Sequence, residues 1–174
     1  MAKKLRRSYL NDYQPGMNGE YYYTGRYMGL EGTLAQRSDL NKKMLILSII
    51  AAAVFICSGI LDGGTLWNTF YVLIPFAAEA VCLGIMIYKI VRFTRQQEPL
   101  KEYIYKQTVP VIKGFNTAAA VCAAVELIAC IVYMIINKEI VIAACVVFLA
   151  AKAINIALMI VLKLYLKKFK WTVR

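Results

Sequence analysis

Histidine is absent from this 174-residue chain, and acids are scarce, with 10 Asp and Glu against 21 Lys and Arg. Without an imidazole, catalytic triads that use a histidine base are excluded, and a transition-metal site loses its commonest ligand. The few acids do not cluster in any loop, so no metal and no cofactor is expected. Walker, GxSxG, HExxH and dinucleotide-binding glycine patterns are also missing, and the chain is expected not to be an enzyme. Cysteine is odd in number: Cys57, Cys82, Cys122, Cys130 and Cys145 all fall in apolar stretches without CxxC spacing. They read as reduced packing residues.

What is present is mostly hydrocarbon. Apolar and aromatic residues make up 60% of the chain and the mean hydropathy is +0.57, too oily for a soluble domain of this size. A formal charge of +11 spread over a soluble domain would suggest nucleic acid. Here the charges lie almost wholly outside the apolar runs, so no nucleic-acid partner is expected and membrane topology explains them instead.

The expected fold is all-α: a polytopic membrane protein, a four-transmembrane-helix bundle preceded by a mostly irregular tail. The tail is residues 1–43 and the membrane domain 44–174, with spans at about 44–61, 66–90, 111–136 and 140–162. Between the second and third spans lies a polar loop, 91–110, in which Pro99 could start a short helix flat on the bilayer, with Leu100, Tyr103 and Ile104 on one face. Pro75 lies one turn before Glu79 and is a candidate kink. Trp67 is the expected interfacial anchor, and residues 163–174 form a basic tail.

Orientation follows from the cations. Eight Lys and Arg precede residue 44, six lie between Lys89 and Lys113, and five lie from Lys163 onward; only Lys138 falls in an opposite loop and only Lys152 inside a span. The positive-inside rule puts both termini and the middle loop in the cytoplasm, in a plasma membrane of the bacterial type. Only short turns around Asp62 and Asn137 would face outward. The tail is too long and basic before its first apolar run for a cleaved signal. It holds half of the 12 tyrosines. Arg6, Arg7, Tyr21, Tyr22, Tyr23 and Arg26 are the candidates for contact with the anionic inner leaflet or a partner protein.

Two apolar stretches repeat at an offset of 73: Ala77, Ala78, Ala80, Met86 and Ile87 recur as Ala150, Ala151, Ala153, Met159 and Ile160, with Glu79 standing where Lys152 stands. A weaker match sets Ala51 against Ala124 and Cys57 against Cys130. If the match is a true repeat, two hairpins of the same orientation are related by an axis along the membrane normal. Four small-xxx-small pairs, Ala80/Gly84, Ala119/Ala123, Ala120/Ala124 and Ala153/Ala157, offer close helix contacts.

Glu79, Glu126 and Lys152 are the charges inside the spans. At 1.5 Å per residue they lie roughly 15–18 Å from the outer ends of their spans, a common level near the midplane. Unpaired, they would cost on the order of 8–10 kcal/mol together. At least one ion pair is therefore expected, with Glu126 and Lys152 as hairpin neighbours, Asn155 as an added hydrogen-bonding group, and one negative charge left over. The cluster reads in two ways, as a core that fixes helix register or as a site on a transport path. The first supports a non-enzymatic membrane subunit, regulator or scaffold with a docking tail. The alternative is a small, oligomeric, proton-coupled carrier.

Overall fold

A computed structural model describes residues 12–16, 18–31, 34–61, 66–96, 99–137, 142–168 and 170–173. Strands β1 (Tyr13–Pro15), β2 (Tyr21–Tyr23) and β3 (Tyr27–Leu30) precede helix α1 (Leu34–Leu61). A 3-10 turn (Leu66–Asn68) leads into α2 (Phe70–Thr94); β4 (Leu100–Lys101), α3 (Glu102–Ile136), α4 (Ile142–Lys168) and β5 (Trp171–Val173) follow. Each of the four helices is long and apolar enough to cross a membrane, and together they make a multi-pass helical bundle.

The helices outrun the apolar runs that announce them. The 28 residues of α1 span about 42 Å against a hydrocarbon core of about 30 Å. Seven of its first ten residues are polar, the stretch is rich in the helix formers Leu, Ala, Gln, Arg and Lys, and an Asp39–Lys43 pair one turn apart, at 2.8 Å, supports it. The segment expected to lie flat on the bilayer instead forms β4 and the first turns of α3. Its Ile104, Thr108, Val109 and Ile112 continue the buried stripe of that helix, so packing on the bundle replaces packing on lipid. α2 is continuous through Pro75, and α3 through Pro110.

Each helix packs on the next, and α4 closes the ring on α1, which sets α2 diagonally opposite α4. Buried positions recur every seven residues: Val72, Glu79, Met86 and Phe93 on α2; Cys145, Lys152, Met159 and Leu166 on α4. This is the seam of a bundle packed at 3.5 residues per turn. The two series are 73 residues apart, so the sequence match between these helices is also a match of inward faces. The weaker match does not carry over: Cys57 is exposed whereas Cys130 is fully buried. α1 buries Arg37, Met44, Ala51 and Ser58, while α3 buries Ile112, Ala119, Glu126 and Tyr133, a frame offset by 75.

Of the four small-residue pairs, only Ala119/Ala123 is fully buried, at 0% exposure for both. Gly84 points outward, and a Cβ there would meet nothing within 4 Å; Ala153 and Ala157 are exposed as well.

Two apolar clusters fill the interior. One, around Leu40, Met86, Ile90, Phe93, Ile112 and Leu162, occupies the end where α1 begins. The other, around Leu66, Val72, Cys130, Cys145 and Phe148, occupies the opposite end. The N-terminal stretch carries strands among its irregular parts. β3 is the centre of a three-stranded antiparallel sheet, with β4 on one side and β5 on the other. This sheet gathers the N-terminal stretch, the α2–α3 loop and the C-terminal tail onto one end of the bundle. Trp171 pins it down, with its ring 5.8 Å from Phe93 and 5.3 Å from Tyr105. Arg37 donates to the Gln96 carbonyl at 3.0 Å and lies over Phe93, tying α1 to the end of α2.

Candidate functional site

Between the two apolar clusters lies a layer of charge. Glu79 and Lys152 are 73 residues apart and occupy equivalent places on diagonal helices. Both face the interior at the same level, and they meet: Lys152 Nζ donates to Glu79 Oε2 at 2.7 Å. Glu126 on α3 comes in from the side, with its Oε2 touching the same Nζ. Asn155, one turn after Lys152, donates its Nδ2 to Glu79 Oε1. The four candidate residues therefore form one cluster, and all are at 0% exposure.

Glu79, Glu126 and Lys152 are too deep for water to offset the cost of burying them, so the protein must supply other partners. Three aromatic rings do part of this. Lys152 Nζ lies 4.6 Å from the Phe55 ring centroid, 4.5 Å from Phe76 and 5.2 Å from Phe148. A desolvated cation over an aromatic face gains about 2 kcal/mol. The ammonium thus touches groups from all four helices: Phe55 of α1, Glu79 and Phe76 of α2, Glu126 of α3 and Phe148 of α4.

The three rings are not among the sequence candidates, although the sequence carries a signal for two of them. Phe76 precedes Glu79 by three residues and Phe148 precedes Lys152 by four, spacings that put each ring on the face of its charge. Phe55 carries no such mark, because its approach depends on how α1 packs.

The distribution of hydrogen bonds separates the two acids. Both oxygens of Glu79 are partnered. Glu126 Oε1 is buried and receives no hydrogen bond from a described residue. The amide oxygens of Asn155 and of Asn116, whose Nδ2 donates to the Met159 carbonyl at 2.9 Å, are also buried without a donor. Lys152 is thus shared by both carboxyls, and the one with a spare oxygen is Glu126.

The tail candidates divide differently. Arg6 and Arg7 lie outside the described residues. Tyr21 and Tyr22 point outward at 70% and 54% exposure. Tyr23 turns inward, its hydroxyl donating to the Arg26 carbonyl at 3.2 Å and its ring packing edge-on against Tyr13, Tyr27 and Tyr103. The Arg26 side chain is exposed. Lys101 donates to the Tyr13 hydroxyl at 3.0 Å and lies over the rings of Tyr13 and Tyr23. The hydrogen bond with Tyr103, and after it that from Lys101, hold the Tyr13 hydroxyl below the ordinary phenol range.

Among the described residues, no three Cys, Asp or Glu side chains are arranged to hold a metal. Compared with known proteins, the chain matches no family model, no curated sequence and no solved structure.

Proposed function

We propose that the protein is a non-enzymatic membrane subunit or scaffold whose cytoplasmic face is the sheet-bearing end. The observation that carries this reading is the enclosure of the charge cluster. Glu79, Glu126 and Lys152 are at 0% exposure, so the polar chemistry of the bundle serves its own register and the groups free to meet a partner lie at the cap. Tyr21, Tyr22 and Arg26 are the outward groups there, beside a basic rim that suits anionic headgroups. The excess of cations on the end that carries both termini supports a cytoplasmic orientation of the plasma-membrane type.

Photo-crosslinkers at positions 21 and 22, with position 88 as a lipid-facing control, test this reading. A discrete protein adduct at 21 and 22 that Arg26→Ala weakens is expected; adducts with lipid alone at all three positions would overturn docking of a partner protein. Point changes serve better than deleting residues 1–40, which would also remove β3 and the start of α1.

A second reading, a proton-coupled carrier, is favoured by the two carboxyls on one lysine. Flux in reconstituted vesicles that Glu126→Gln abolishes would select it over the first.

A further inference from the structure

The cluster holds two acids and one base, and its charges do not cancel. Both Oε2 atoms touch a single Nζ. The two carboxyls therefore stand within the roughly 4–6 Å at which like charges oppose joint ionisation. The remaining oxygen of Glu126 is buried and receives no donor, whereas Glu79 is satisfied by Lys152 and Asn155.

An ionised carboxylate accepts hydrogen bonds only, and one left unsatisfied in a hydrocarbon interior carries the full cost of lost hydration. Among the described residues no further cation is paired with the cluster. α2 adds Cys82, near Cys122 of α3; α4 adds Lys152 and Asn155; α1 adds the Phe55 ring.

We infer that the cluster is a proton-binding site, in which the Glu126 carboxyl carries one proton at neutral pH while Glu79 and Lys152 form the ion pair. Its ligand is the proton itself. The inference depends on neither reading above, since a proton can be held for register or carried across.

Infrared spectroscopy of the protein in lipid nanodiscs at neutral pH tests the assignment, because a protonated carboxyl has a carbonyl stretch that a carboxylate lacks. The wild type should show this band at the intensity of one group. Glu126→Gln should abolish it. Glu79→Gln should abolish it too, because Glu126 then pairs with Lys152 alone and has no charge to shed. Lys152→Met should raise it about twofold, since two facing acids then lack a cation.

A wild type without the band at neutral pH overturns the proposal, as does a band that survives Glu126→Gln. Spectra taken with and without sodium separate the proton from a monovalent cation: a band lost when sodium is added would assign the site to the metal ion instead. Should Lys152→Met fail to fold, the two glutamine variants still decide the matter.

Discussion

Replacing Lys152 by methionine keeps the length of the side chain and removes the one charge that both Glu79 and Glu126 touch. It leaves two buried acids facing each other without a cation. Removing one partner of a buried pair costs about 3–5 kcal/mol, because the charge left behind is uncompensated. Two substitutions on the acid side behave differently. Glu79→Gln breaks the pair at 2.7 Å and the charge-assisted bond from Asn155, but leaves Lys152 with Glu126; bonds of that kind contribute about 1.5–3 kcal/mol. Glu126→Gln leaves the Lys152–Glu79 pair and its Asn155 support in place, and removes the carboxyl with the unpartnered oxygen. Its cost should stay within about 1 kcal/mol, the range of an ordinary hydrogen bond. The triple variant Glu79→Gln, Glu126→Gln, Lys152→Met has no buried charge and should recover most of the loss of Lys152→Met. Unfolding of the purified protein in mixed micelles, followed by intrinsic tryptophan fluorescence, gives the four values on one scale. A Glu126→Gln variant as unstable as Glu79→Gln, or a Lys152→Met variant as stable as wild type, would refute the asymmetry drawn between the two acids.

Exchanging Glu79 with Lys152 keeps one acid and one base at the two facing positions, so expression lost in each single variant should largely return in the double one. Exchanging Glu126 with Lys152 should restore less, because the lysine leaves the Phe55, Phe76 and Phe148 rings; equal rescue by both exchanges in a blot of membrane fractions would show that the rings add nothing. Ala123→Leu, at a fully buried seam position, should destabilise by about 1–3 kcal/mol through overpacking, while Gly84→Leu, facing outward, should be nearly neutral; the same unfolding assay separates them. Ending the chain at residue 168 removes β5 and its pairing with Met28, Gly29 and Leu30. Amide hydrogen exchange in β3 should then speed up while the middle of α3 stays protected, and an unchanged rate in β3 would show that the sheet does not depend on the C-terminal tail.

The bundle was legible because four apolar runs of membrane length leave little else to build, and the midplane cluster because three charges at one depth in hydrocarbon must find each other. The cap was not legible. β3, β4 and β5 are four, two and three residues long and distant in sequence, so no local period announces them, and their pairing exists only after the helices bring their ends together. The apolar stripe of residues 100–104 suited a helix on lipid as well as a strand and a helix start on protein. Only the continuation of that stripe through Val109 and Ile112 into the seam of α3 separates the two. Small residues misled for a related reason: alanine and glycine at spacing four fit a helix contact and a lipid face alike, and Gly84 and Ala157 are on the lipid face.

The relation between α2 and α4 bears on why the cluster has the composition it has. Glu79 and Lys152 face each other across the bundle from diagonal helices and meet through their long side chains. Glutamate at both would place like charges in contact, and lysine at both would do the same with the opposite sign. One of each gives a pair that a slip in register breaks, since a shift of either helix by seven residues, about two turns, would set Lys152 against Val72 or Met86, the flanking members of the buried series of α2. The other members of the two series, Val72, Met86 and Phe93 on α2 and Cys145, Met159 and Leu166 on α4, carry no charge that would oppose a shift. Glu126 adds a second constraint from α3, which neither α2 nor α4 can satisfy alone. On the scaffold reading proposed above, the charge pair would set the vertical register between α2 and α4, a task for which hydrophobic contact, being non-directional, is poorly suited.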